Sequence, residues 1–134
     1  MSVKNWLTGL LKKTRRDPAS SDGMRAETLA ANYLRARGLA IVARNFRVRG
    51  GEIDLIAREG AITVFVEVRL RRSQAFGGAI GSIDARKRRR LLLAARHWLL
   101  RRPRQGNCRF DCVLFDKLDV NNLEWIRHAF TADD

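Results

Sequence analysis

Apolar residues along this chain change their spacing in a regular order, and that order outlines alternating helices and strands. Between residues 24 and 37, Ala30, Ala31 and Leu34 recur at helical spacing, with Glu27 one turn earlier on the same stripe. Gly38 stands where such a helix closes. The period then shortens to two. "LAIVARNFRV" (residues 39–48) reads as a strand with Val42, Phe46 and Val48 on one face. "EIDLIAR" and "AITVFVEVRL" follow as two further strands, with a tight turn at Glu59 and Gly60 between them. A second helix is predicted over about residues 83–101. Leu91, Ala94, Ala95, Trp98 and Leu99 form its stripe, Lys87 extends that stripe by one turn, and Pro103 lies beyond its end. "CRFDCVLF" reads as a fourth strand, and "LEWIRHAF" as a fifth strand or a short helix. The predicted order is α-β-β-β-α-β-β, in one domain over residues 24–134.

Residues 1–23 read as a basic arm. Within it "WLTGLLKKTRR" is either a frayed tail or a short amphipathic helix, and "DPASSDG" has the composition of a linker. "RRSQAFGGAIGS" is a glycine-rich loop without a phosphate-binding fingerprint.

Composition narrows the partner. The 134 residues are 46% hydrophobic, enough for one domain with a true core. The net charge is +13 and the isoelectric point about 11.4, which favours a polyanion, either nucleic acid or an anionic membrane surface. No apolar run approaches the roughly 18 residues of a membrane span, and no sustained apolar signal segment opens the chain. These features predict a cytoplasmic protein without integral membrane association. Cys108 and Cys112 share a strand face and read as small buried hydrophobes. With His97 and His128 they show no zinc-ligand spacing.

The unusual feature is "GGEIDLIAREGAITVFVEVRLR", which places Glu52, Asp54 and Glu67 inside apolar runs. A two-residue turn pairing Arg58 with Ala61 would gather all three acids and Arg69 on one face. A four-residue turn ending at Ile62 would set Asp54 opposite Glu67 on that same face, while a three-residue turn would separate them. The opposite face would then carry Ile53, Leu55, Ala57, Val64, Val66 and Val68 as core. Two carboxylates about 4 Å apart repel by roughly 4 kcal/mol at an effective dielectric of 20. A cation must offset that cost. Arg69 is one candidate, and a hard divalent ion held by oxygen ligands is another. Surface salt bridges with Arg58, Arg69 or Arg71 are the plain alternative.

Asp54, then Glu67-x-Arg69 on the next strand, with Glu27 on the preceding helix, resembles the PD-(D/E)xK nuclease superfamily. "GGEIDLIARE", "VFVEVRLR", "FGGA" and "CRFDCVLF", in this order, resemble the YraN family of small bacterial proteins, which is described in terms of endonuclease activity. The resemblance covers residues 24 to the C-terminus. It implies an α/β fold with a restriction-endonuclease-like core, a mixed sheet flanked by helices, similar to archaeal Holliday-junction resolvases. It implies Mg2+ or Mn2+ held by Asp54, Glu67 and Glu27, with the Val68 carbonyl as a further ligand, and no small-molecule cofactor. Asp54, Glu67, Glu27 and Arg69 are the catalytic candidates. Arg69 stands where the superfamily has lysine, and arginine keeps its proton, so it suits charge stabilisation better than base catalysis. Arg71, Lys87, Arg88, Arg89 and Arg90 are the candidates for binding DNA phosphates. The activity implied is phosphodiester hydrolysis in DNA, branched or structured DNA included, with a homodimer as a possible active form. The alternatives are a DNA-binding module with a degenerate site, and a membrane-associated scaffold working through its basic arm.

Overall fold

Helix α1 runs over Pro18–Ala36 in the computed structural model, which describes residues 18–70, 84–103 and 106–132. The helix starts at Pro18 rather than near Met24, so residues 18–23, read from sequence as a linker, form its first turns. Proline is well tolerated at a first helical position, whose N–H has no intrahelical partner anyway. The far end closes as expected. Gly38 has φ +96°, the Gly38 N–H donates to Arg35 O at 3.0 Å, and the Leu39 N–H donates to Leu34 O at 3.1 Å. This is the Schellman pattern, and the two buried leucines Leu34 and Leu39 pack in one cluster beside it.

Strand β1 (Ala40–Val48), β2 (Gly51–Glu59) and β3 (Ile62–Leu70) follow as an antiparallel meander. Glu59 pairs with Ile62, so the loop is Gly60 and Ala61, and the register is that of the four-residue turn ending at Ile62. The alternative pairing of Arg58 with Ala61 does not occur. Gly60 has φ +60° at the first central position, which a type II′ turn reserves for glycine.

Helix α2 (Ala85–Leu100) then crosses to β4 (Cys108–Phe115), which lies parallel to β3. Asp84 caps this helix by accepting the Lys87 N–H at 2.9 Å. A short 3-10 turn (Val120–Asn122) leads to β5 (Leu123–Phe130), which is a strand and pairs antiparallel with β4. The sheet order is β1-β2-β3-β4-β5. One parallel pair among antiparallel ones makes it the mixed sheet of the expected α-β-β-β-α-β-β order.

The two helices cover opposite faces. Ala26, Ala30, Ala31 and Leu34 of α1 pack with Leu55, Ala57, Val64, Val66, Val113 and Phe115. Leu91, Ala94, Ala95 and Trp98 of α2 pack with Ile53, Ile56, Phe65, Phe110, Cys112 and Leu114. Alternation along β3 and β4 sends Val64, Val66 and Val113 one way and Phe65, Cys112 and Leu114 the other. Ile56 and Phe65 lie under α2 and are fully core.

Two departures from alternation bear on function. A register shift between Ile41 and Ala43 turns Val42 out to 45% exposure, while Ala43, Phe46 and Val48 face the α2-side core. The bulge thus removes Val42 from the face predicted for it. In β2, Ile53 joins the α2-side core and Leu55 the α1-side core, although regular alternation would put both on one face.

The β1–β2 turn abuts α2. A Cβ on Gly51 would lie 2.5 Å from the Arg90 carbonyl oxygen and 3.0 Å from the Ala94 nitrogen. Glycine is what lets the strand approach the helix so closely. Cys108 and Cys112 are free thiols, the first exposed and the second buried. No helix among the described residues is long and apolar enough to cross a membrane.

Candidate active site

The irregular point in β2 is Asp54. Backbone pairing between β2 and β3 runs from Glu59↔Ile62 to Leu55↔Val66. At the next level a side chain takes over. The Val68 N–H donates to Asp54 Oδ2 at 2.9 Å. Asp54 raises the proton affinity of both the Glu27 carboxyl, from α1, and the Glu67 carboxyl, from β3, through its charge and its side chain. Three acids from a helix and two strands thus form a line with Asp54 in the middle.

Glu67 is 2% exposed. Burial pushes its carboxyl well above the usual carboxylate range, the Asp54 charge and hydrogen bond push further, and Lys87 opposes only in part. Lys87 Nζ lies 2.8 Å from Glu67 Oε2, and the Arg69 guanidinium 3.8 Å from the same oxygen. The Lys87 approach is close but poorly directed, so Oε2 remains a buried oxygen without a well-formed hydrogen bond. Asp84 fixes the backbone of the turn from which Lys87 reaches in.

At the other end, burial is the main reason the Glu27 carboxyl is raised from 4.5 to about 7, with the Asp54 charge adding to it. The Asn45 amide pulls the value down, donating to Glu27 Oε1 at 3.1 Å. Arg44, whose guanidinium is 4.0 Å from that oxygen, pulls in the same direction. Cations therefore flank the acid line at both ends, Arg44 at one and Lys87 with Arg69 at the other.

Five of the residues singled out from the sequence meet here: Glu27, Asp54, Glu67, Arg69 and Lys87. Glu52 does not. It is 41% exposed at its side chain and pairs with Arg47 at 3.7 Å and Arg90 at 3.4 Å. Parity could not carry Glu52 to the site because alternation fails at Asp54. Arg90 lies on α2 beside Arg88 and Arg89, and its ion pair with Glu52 diverts part of the charge expected to face phosphate. Arg71 lies outside the described residues, as do the glycine-rich loop and the basic arm. Among the described residues, no three His, Cys, Asp or Glu side chains close into a ready-made metal cage.

Sequence reading missed Arg44, Asn45 and Asp84 at this site. It also missed a second charged cluster. Asp111 is fully buried. It accepts from Arg109 Nε at 3.0 and 3.1 Å, from Trp125 Nε1 at 3.0 Å and from the His128 N–H at 3.1 Å. Arg109 also donates to Glu59 at 2.6 Å, and Arg127 donates to both Glu59 oxygens at 2.8 and 3.1 Å. The signal was present in "CRFDCVLF": opposite charges two residues apart in an apolar strand share a face and can pair.

A mixed sheet between two helices, with a strand acid coupled electrostatically to a second strand acid and a helical one, is the arrangement expected of a restriction-endonuclease-like α/β core. The chain belongs to the family described as "Uncharacterised protein family UPF0102", the YraN family, whose model matches residues 26–115. It is 57% identical to a UPF0102 protein of Dechloromonas aromatica over 118 residues, which cover 88% of this chain and 95% of that protein. It is 51% identical to one of Methylobacillus flagellatus over 107 residues, covering 80% and 94%. It is 46% identical to one of Pseudomonas aeruginosa over 124 residues, covering 89% and 99%.

Proposed function

We propose that this chain is a metal-dependent endonuclease that hydrolyses phosphodiester bonds in DNA. The observation that carries this reading is the Glu27–Asp54–Glu67 line, one buried and two half-buried acids drawn from a helix and two strands, with cationic side chains at both ends. The donor chemistry fits a hard divalent ion: the ligands are all oxygen, and buried Glu67 Oε2 has no well-directed donor. Asp54, Glu67 and Glu27 would hold Mg2+ or Mn2+, joined by the Val68 carbonyl. When bound, the ion supplies Lewis acidity to the phosphodiester and to the attacking water.

The protein groups divide the remaining work. The Arg69 guanidinium neutralises charge that develops on the phosphate oxygens. Lys87, on a flexible stem, moves from Glu67 to a phosphate once the acid is otherwise engaged. Arg44 grips the strand on the far side of the acids, and Arg88 and Arg89 hold the backbone farther along α2. The resemblance to junction resolvases points to branched DNA as one substrate.

The test is cleavage of linear and four-way-junction DNA with Mn2+ titrated, by the native protein and by Asp54→Asn and Glu67→Gln. Cleavage that requires the metal and vanishes with either acid is the expected result. Two observations favour a second reading, a DNA-binding module with a silent site: Lys87 already sits on Glu67, and arginine replaces the superfamily lysine. DNA binding unaffected by metal and by both substitutions, without cleavage, would establish that module instead.

A further inference from the structure

Asn45 lies in the middle of β1 with φ +52°. Left-handed backbone inside a strand is unfavourable for any residue with a Cβ, and asparagine is among those that tolerate it best. Strain of this kind persists only where surrounding structure holds it. Its position is informative. Arg44 pairs with Leu55 and Phe46 with Ile53, so Asn45 sits at the level of Asp54, where β2 also breaks alternation. In a regular strand Arg44 and Asn45 would point to opposite faces. Here both address the same carboxylate: Asn45 Nδ2 donates to Glu27 Oε1 at 3.1 Å, and Arg44 lies 4.0 Å from that oxygen. Arg44 is itself anchored by a hydrogen bond to Thr28 Oγ1 at 3.1 Å.

We infer that Asn45 is a positioning residue whose left-handed backbone exists to bring its amide to Glu27 and hold that carboxylate against Asp54. The inference rests on the reading of the acid line as a metal-binding nuclease site. Glu27 comes from a helix, Asp54 and Glu67 from strands, and helical side chains of this length have several open rotamers. A directed donor on one Glu27 oxygen selects the rotamer that leaves the other oxygen for the site. Partners of metal-binding carboxylates do this generally, and losing one lowers metal affinity about 10–100-fold.

Asn45→Gly separates the two roles of the residue. Glycine adopts φ +52° without strain, so the backbone is kept and only the amide is removed. Mn2+ binding would be followed by calorimetry on the full chain, with thermal unfolding in parallel. The expected result is a thermal midpoint at or above that of the native protein, with Mn2+ affinity about 10–100-fold weaker. The double variant Asn45→Gly, Glu27→Gln should bind no more weakly than Glu27→Gln alone, because Asn45 acts through Glu27. Native Mn2+ affinity in Asn45→Gly, or additive losses in the double variant, would overturn the inference while leaving the acid line intact. Native Mn2+ affinity in Glu27→Gln alone would remove Glu27 from the metal site, and the inference with it.

Discussion

Two buried carboxylates in this molecule are almost equally hidden from water yet are treated in opposite ways. Asp111 is 0% exposed and Glu67 is 2% exposed. Asp111 accepts from a guanidinium, an indole and a backbone N–H. Glu67 has an acid beside it and an oxygen that no donor meets squarely. The same contrast separates their neighbours. Arg127 and then Arg109 hold the Glu59 carboxyl below the ordinary range, whereas burial and Asp54 push Glu27 above it. Burial of charge therefore does not mark a site by itself. What distinguishes the acid line is that its carboxylates raise one another's proton affinity and that buried Glu67 Oε2 lacks a well-directed donor.

Removing one carboxylate from each cluster should give opposite signs. Asp111→Ala leaves the Arg109 guanidinium buried without its main partner and should cost about 3–5 kcal/mol of folding stability. Urea unfolding would measure it, and a loss below about 1 kcal/mol would show that the cluster is not a structural lock. Glu67→Gln relieves repulsion instead, so the metal-free protein should gain roughly 0.5–2 kcal/mol while Mn2+ binding disappears. A stability loss there would erase the distinction between the clusters.

Titration separates the two clusters further. The Glu27 carboxyl is raised from 4.5 to about 7, so between those values the folded chain keeps a proton that the unfolded chain releases. Metal-free stability therefore falls as pH rises from 4.5 to about 7. Glu27→Gln should flatten that slope, and unfolding in EDTA across this range would show it. Asp111→Ala should leave the Glu27 part of the slope in place. The smallest effect lies outside both clusters. Neutralising Arg88, Arg89 and Arg90 should leave folding nearly unchanged. It should lower the salt dependence of DNA binding by about one unit for each phosphate that is no longer neutralised. An unchanged slope would remove α2 from the DNA surface.

The sequence made the architecture legible because its signals are local. The alanine and leucine stripes of the two helices, Gly38, and the alternation along β3 all act within a few residues. Turn parity also placed Asp54 beside Glu67 once the turn ended at Ile62. It failed for Glu52 because alternation breaks at Asp54, a property of how β2 meets its neighbours. Val42 was misplaced by a bulge for the same reason. Asn45 gave no sign in the hydrophobic pattern, since a single polar residue in an edge strand ordinarily faces water. Asp111 needed β5, whose Trp125 and His128 are remote in sequence. What remained hidden was set by packing between distant segments.

The close fit at Gly51 has a consequence for how variants of this protein will fail. Lys87 and Arg90 lie one turn apart on the same rigid rod, and the tip of the first hairpin sets how far that rod stands from the sheet. A single methyl group at Gly51 would act as a shim under one end of a lever. It would lift the near turn of the helix and draw the ammonium of Lys87 away from Glu67. A change that looks like a packing defect at a hairpin would then be read out as altered chemistry 36 positions later in the chain, the distance from Gly51 to Lys87.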